Sequence, residues 1–142
     1  MKVLIPIDGS ASSRRAVEQV LRHASPTSPP EIHLLHVCVP IEAWEVRRFL
    51  TSEEIAEIQY QEGMLELQAC RELLDAAGVP YRFRVLVGDG EVAEAISDYA
   101  DEYGCDLIVM GTHGRTGIGH LLLGSVASAV VHLARVPVTL VK

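Results

Sequence analysis

The chain has 142 residues and a formal net charge of −7, and 49% of its residues are hydrophobic. This length predicts a single domain spanning residues 1–142, and the composition argues against disordered, collagen-like and coiled-coil classes. The acidic balance lacks the basic footprint that duplex nucleic acid requires, so we expect no nucleic-acid partner. The first apolar stretch is too short for a signal peptide, and no later one is long enough to span a membrane.

The cysteine and histidine spacings indicate no metal site. Cys38, Cys70 and Cys105 lack the Cys-x-x-Cys spacing of zinc sites and redox pairs, and we expect buried thiols in a cytoplasmic protein. His33 and His36 are three residues apart on a predicted strand, so their side chains should lie on opposite faces.

In chain order, the first predicted elements are a buried strand and an amphipathic helix. Residues 2–7 form a nearly continuous apolar run, which is typical of a strand buried on both faces. Apolar residues then recur at helical spacing over 16–24, and a second strand is predicted at 32–37. The candidate N-caps of the helix are Ser10, Ser12 and Ser13.

The middle of the chain combines an irregular stretch with a long helix. Residues 40–50 have no clear period, and we predict a loop there that contains the only tryptophan, Trp44. Thr51 and Glu54 form a capping-box pattern, which predicts a helix that reaches about residue 77 and ends at Gly78.

The second half of the chain continues the alternation of strands and helices. Residues 81–87 partly alternate between apolar and basic side chains, which predicts an edge strand. Apolar residues mark a helix face over 92–103, and 107–110 is the most apolar short run, which predicts a central strand. A last helix is predicted from Gly124, and its narrow polar stripe consists of Ser125, Ser128, His132 and Arg135.

A final strand at 138–141 completes the order β-α-β-α-β-α-β-α-β. This alternation predicts an α/β fold with an open, five-stranded parallel sheet and helices on both faces. In the strand order 3-2-1-4-5, the first and fourth strands flank the point where the order reverses. Ligands of such sheets bind beyond the carboxyl ends of the strands at that point.

A glycine-rich segment follows the predicted fourth strand. It begins with Gly111 and Gly114, and Gly124-Ser125 stands where the last helix starts. Glycine allows backbone N–H groups to approach an anion closely, and the free N–H groups of a helix start favour phosphate. The segment is neither a Walker A loop nor a G-x-G-x-x-G fingerprint. From the residues alone, a structural loop and a phosphate site therefore both remain open.

The spacing Gly111-x2-Gly114-x9-Gly124-Ser125 resembles the nucleotide-binding signature of the universal stress protein family. Further segments that look like this family are residues 5–10, 106–115, 122–126 and 136–138. The resemblance covers the whole chain and implies a Rossmann-like fold of the adenine nucleotide alpha hydrolase type. It also implies a cytoplasmic homodimer that binds ATP and acts as a nucleotide-sensing regulator in the stress response. ATP would bring Mg²⁺ or Mn²⁺, held mainly by its own phosphates.

The resemblance further implies which residues contact ATP. Asp8 would contact the nucleoside, and the backbone of Val37 would meet the adenine. The path of the ribose and phosphates would be formed by Gly111, Gly114, Gly124, Ser125 and the backbone of Val126. The other candidates are Pro6, Met110 and His113 as pocket walls and Arg115 as a phosphate contact.

Several of these residues have structural alternatives. Asp8 could instead cap the first helix, and Ser125 could be only an N-cap. His113 fits a pocket wall better than a general base, and Arg115 could simply be solvated. The chain has no nucleophile elbow and no acidic cluster for two metals, so any ATP hydrolysis would be slow. Two other functions stay open: a slow ATPase or nucleotide transferase, and a nucleotide-free dimeric interaction module.

The last strand, Val138–Val141, is the predicted dimer surface. It is a short sheet edge without charged side chains, so its unpaired backbone groups could pair with a second copy across a two-fold axis. The opposite edge carries Arg82 and Arg84, which makes it the poorer candidate.

Overall fold

The computed structural model describes residues 1–114 and 123–142. Within them, the strands are β1 (Lys2–Pro6), β2 (Glu31–Cys38), β3 (Tyr81–Val87), β4 (Leu107–Gly111) and β5 (Val138–Val141). They form one sheet in the order β3-β2-β1-β4-β5, and each neighbouring pair is parallel. The predicted fold class and strand order are therefore confirmed, and β3 and β5 are the two edges.

Helices cover both faces of the sheet and enclose two apolar cores. The helices are α1 (Ala11–His23), α2 (Trp44–Phe49), α3 (Ser52–Ala76), α4 (Val92–Glu102) and α5 (Ser125–Leu133). Helices α1 and α3 pack on one face, and α4 and α5 pack on the other. In β1, Val3 and Ile5 enter the first core while Leu4 enters the second, which explains why this strand is apolar from Val3 onwards.

The helix ends follow from side-chain caps and glycines. The Ser10 hydroxyl accepts a hydrogen bond from the Ser13 N–H at 3.1 Å, so Ser10 is the N-cap of α1. Thr51 and Glu54 make both hydrogen bonds of the capping box that opens α3. Gly78, at φ +66°, follows the end of α3 in the left-handed region that favours glycine.

Two local predictions were wrong. The stretch 40–50 is not only a loop, because it contains the short helix α2, in which the Arg48 guanidinium lies over the Trp44 and Phe49 rings. This helix buries none of its residues, so it has no apolar periodicity to detect. Arg135 lies beyond α5, which ends at Leu133, and its guanidinium bonds the Asp101 carboxylate at 2.9 Å instead of extending a helical stripe.

The cysteines are free thiols. Cys70 and Cys105 are buried as expected, whereas Cys38 is only half-buried. Burial raises the pKa of the Cys70 thiol to about 11, so it stays protonated and unreactive at neutral pH. In the part of the chain that the structure describes, no helix is long and apolar enough to cross a bilayer.

Candidate functional site

A cleft of about 300 Å³ opens beyond the carboxyl ends of β1 and β4. It lies where the strand order reverses, which is where an open parallel sheet offers a ligand crevice. Its volume is at the lower end of the roughly 300–1,000 Å³ that is typical of small-molecule sites.

Ten of the eleven candidate site residues line this cleft. They are Pro6, Asp8, Val37, Met110, Gly111, His113, Gly114, Gly124, Ser125 and Val126. The eleventh, Arg115, lies outside the described residues. The fold thus brings together three chain segments that are far apart in sequence, although this proximity does not by itself assign a ligand to them.

The start of α5 opens on the cleft without a side-chain cap. Gly124 is the N-cap, and its N–H donates to the Thr112 carbonyl at 2.7 Å, which anchors the helix start beside the end of β4. The alternative in which Ser125 is the N-cap is therefore wrong, because Ser125 is the first helical residue. The N–H groups of the first turn have no intrahelical acceptor, and together with the helix dipole they suit an anion.

The glycines of the signature allow close backbone packing. A Cβ on Gly111 would lie 2.1 Å from Ser12 Oγ, and a Cβ on Gly124 would lie 2.9 Å from the Thr112 carbonyl oxygen. These two positions let α1 and α5 start directly against the end of β4. Replacing Gly124 with valine would therefore disturb the backbone as well as any phosphate space.

Asp8 holds the turn between β1 and α1. Its Oδ1 accepts a hydrogen bond from the Ser10 N–H at 2.9 Å, while the Ser10 hydroxyl takes the capping position. The alternative in which Asp8 caps α1 is therefore wrong. Asp8 Oδ2 would be 3.0 Å from a Cβ on Gly114, so this oxygen faces the glycine turn after β4. A carboxylate oxygen in this place can accept hydrogen bonds from ligand hydroxyl groups.

The cleft also contains residues that the sequence did not single out. Thr112, which is buried, places its Oγ1 2.8 Å from His113 Nδ1. Apolar side chains from the start of α4, Val92 and Ile96, form a wall together with Met110 and Val37. The remaining lining residues are Ile7, Ser10, Ser13, Leu35, His36 and Ala127. The site therefore has an apolar part and a part rich in backbone N–H groups, which is a combination that suits a nucleotide.

Comparison with known proteins identifies the family. The model of the universal stress protein family matches residues 1–142. The chain belongs to the universal stress protein family. It is 33% identical to universal stress protein MJ0531 of Methanocaldococcus jannaschii, over 99% of this chain and 81% of that protein.

Solved structures agree with this family membership. The structure of hypothetical protein MJ0577 matches with a TM-score of 0.83 and 30% identity, over 99% of this chain and 94% of that one. The structure of a universal stress protein in complex with cAMP matches with a TM-score of 0.70 and 25% identity, over 100% and 97% of the two chains. The resemblance stated from the sequence is thus confirmed.

Metal-ligating side chains are not clustered in the described part of this universal stress protein. Residues 1–114 and 123–142 contain no group of three His, Cys, Asp or Glu side chains that could hold a metal ion. His33 bonds Tyr99 and Glu31, whereas His36 bonds the Ile7 carbonyl, so the two histidines do not act as a pair.

Proposed function

We propose that this universal stress protein binds ATP in the cleft between β1 and β4 and acts as a homodimeric, nucleotide-sensing regulator in the cytoplasm. The observation that supports this most strongly is the start of α5, which has no side-chain cap and lines a cleft that also has an apolar wall. Its first-turn N–H groups have no acceptor among residues 1–114 and 123–142. The related universal stress protein in complex with cAMP supports an adenine nucleotide as the ligand class.

The proposed roles of the residues follow from their places in the cleft. The adenine would lie against Val37 and Met110, with Pro6 beside it, and Asp8 Oδ2 would accept hydrogen bonds from the ribose hydroxyls. The phosphates would pass Gly111 and Gly114 and reach the N–H groups of Ser125 and Val126. Because the cleft lacks a carboxylate cluster among the described residues, Mg²⁺ or Mn²⁺ would be held mainly by the phosphates.

Calorimetric titration of the purified protein with ATP and GTP tests this function. We expect ATP to bind more tightly than GTP, since the base edge would meet backbone groups of Val37 at the end of β2. Equal affinities, or no binding of either nucleotide, would contradict the proposal. Phosphate release measured on the same sample separates this function from a slow ATPase, and a protein without any nucleotide affinity would favour the interaction module.

We also propose that the homodimer forms through the outer side of β5. The Ile108 N–H bonds the Pro137 carbonyl, and the Thr112 N–H bonds the Val141 carbonyl. In a parallel ladder this alternation directs the backbone groups of Val138 and Leu140 away from β4. These outward groups could pair with the same strand of a second copy across a two-fold axis.

The substitution Leu140→Pro tests this interface, because it removes an outward N–H and leaves the ladder to β4 in place. Light scattering should then report a folded monomer. Thr139→Pro is the matched control, since its N–H points towards β4 by the same alternation, and we expect it to destabilise the fold. A folded Leu140→Pro variant that remains dimeric would show that the interface lies elsewhere.

A further inference from the structure

Thr112 links the cleft to two neighbouring elements. Its N–H donates to the Val141 carbonyl at 3.0 Å, and its carbonyl accepts the Gly124 N–H at 2.7 Å. The residue is 8% exposed, and its Oγ1 lies 2.8 Å from His113 Nδ1. The backbone of Thr112 is therefore held on both sides, and its hydroxyl is directed at the imidazole ring.

The Thr112 hydroxyl and His113 Nδ1 form one hydrogen bond, and the tautomer of the ring sets which of the two donates. A buried hydroxyl is a donor that needs an acceptor, and the described residues give Thr112 Oγ1 one hydrogen-bond partner, His113 Nδ1. When the hydroxyl donates to Nδ1, the neutral imidazole has its proton on Nε2. His113 Nε2 is buried and has no hydrogen-bond partner within residues 1–114 and 123–142. In that tautomer, Nε2–H is an unused donor on a residue that lines the cleft.

The position of this donor indicates the kind of ligand atom that it would meet. A Cβ on Gly124 would lie 3.4 Å from His113 Cα, so His113 stands directly beside the uncapped start of α5. Asp8, on the other side of Gly114, supplies an acceptor and not a donor. An anionic oxygen near the start of α5 would satisfy the Nε2–H and the free helix N–H groups together.

We propose that His113 donates a hydrogen bond from Nε2 to a phosphate oxygen of the bound nucleotide, and that Thr112 is the positioning residue that sets this tautomer. This inference rests on the proposed nucleotide binding and adds a specificity to it. The cleft selects adenine nucleotides that carry a phosphate over the free nucleoside, and the Thr112 hydroxyl contributes to that selection without touching the ligand.

The tautomer can be measured directly by nitrogen-15 NMR of the imidazole rings, at a pH where histidine is neutral. The His113 signals are assigned by their loss in a His113→Gln variant. We expect Nε2 to be the protonated nitrogen and Nδ1 the unprotonated one in the wild-type protein, and this preference should weaken in Thr112→Val. A wild-type ring protonated on Nδ1 would overturn the proposal, since Nε2 would then be an acceptor.

Calorimetric titrations with AMP and adenosine test the consequence for binding. In Thr112→Val, which keeps both backbone hydrogen bonds, we expect the AMP affinity to fall about fivefold while the adenosine affinity stays unchanged. Thr112→Ser restores a hydroxyl and should restore the AMP affinity. The matched control is Thr27→Val. Thr27 is an exposed threonine near the start of β2, and its hydroxyl also has one side-chain hydrogen-bond partner, the Ser25 hydroxyl.

The outcomes separate this inference from the proposed function. If Thr112→Val lowers the affinities for AMP and adenosine equally, or lowers neither, the role of Thr112 is structural and the inference is overturned. A wild-type protein that binds AMP and adenosine equally well would overturn the phosphate contact alone. A wild-type protein that binds neither ligand would overturn the proposed function together with the phosphate contact.

Discussion

Two helix starts face the same cleft, and they differ in how their N–H groups are satisfied. At the start of α1, the Ser10 hydroxyl accepts the Ser13 N–H at 3.1 Å, and Asp8 accepts the Ser10 N–H at 2.9 Å. At the start of α5, the N-cap is Gly124, which has no side chain to offer. The chain therefore uses its own oxygens at α1, and we propose that the first-turn donors of α5 meet a ligand instead.

This difference indicates that the helix dipole alone does not locate an anion site. Both helix starts present their positive end to the cleft, but α1 has the Ser10 side chain bonded to its Ser13 N–H, whereas α5 begins at a glycine that caps none of its N–H groups. Under the proposed function, glycine and serine play two separate roles here: those at the start of α1 build the cleft, and those at the start of α5 bind the nucleotide. Each of the following changes tests that separation.

The largest effect is expected at Ser125, the first residue of α5. Ser125→Asp should lower the ATP affinity about hundredfold, because the new carboxylate takes the place of the phosphate and repels it. The same carboxylate interacts favourably with the helix start, so thermal stability should stay unchanged or rise by about 0.3–1 kcal/mol. Calorimetry and thermal unfolding measure the two effects separately.

The matched control for this change is Ser52→Asp. Ser52 is exposed and is the first residue of α3, and it does not line the cleft. Ser52→Asp therefore introduces the same charge at the same helix position but outside the cleft, and we expect it to leave ATP binding unaffected. If the Ser125→Asp variant keeps the wild-type ATP affinity, the start of α5 is not the phosphate site.

A smaller effect, on stability, is expected where α1 packs against β4. Gly111→Ala places a Cβ 2.1 Å from Ser12 Oγ and 2.8 Å from the Ser12 backbone carbon, so α1 must move away from β4. We expect the free energy of unfolding, measured in urea, to fall by about 2 kcal/mol. Gly114→Ala is the comparison, because among residues 1–114 and 123–142 its Cβ would meet only the Asp8 carboxylate, at 3.0 Å. If both substitutions lower the free energy of unfolding equally, close packing against Ser12 is not what requires glycine at position 111.

The smallest effect is expected for the cap itself. Ser10→Ala removes the side chain that accepts the Ser13 N–H, which should cost about 1 kcal/mol of stability and leave the ATP affinity unchanged. Ser125→Ala should do the reverse, with unchanged urea stability and weaker ATP binding. If Ser10→Ala weakens ATP binding as much as Ser125→Ala does, both helix starts bind the ligand. The assignment of separate roles to them is then wrong.

The sequence predicted features that depend on neighbouring residues. Apolar runs and helical spacings predicted the alternation of strands and helices, and the glycine spacing pointed to the loop after β4. The capping box of Thr51 and Glu54 was also predictable, since both hydrogen bonds lie within four consecutive residues. The resemblance to the universal stress protein family implied the ten candidate site residues that line one cleft, and most of them stand at strand ends and helix starts.

Features that depend on contacts between distant segments could not be predicted. The reason for glycine at position 111 is Ser12 on another element, and the importance of Thr112 rests on Gly124 and Val141. No local pattern indicates these contacts before the chain is folded. Helix α2 was missed for a different reason, because a short helix without a buried face leaves no periodicity in the sequence.

The most direct test of the central claim is an NMR titration that follows the backbone amides of the two helix starts. Addition of ATP should shift the amide signals of Ser125 and Val126 strongly and leave that of Ser13, which is bonded to Ser10, nearly unchanged. Adenosine, which has no phosphate, should leave the α5 amides unshifted. ATP shifts confined to the start of α1, or equal shifts of the α5 amides with adenosine, would contradict the account.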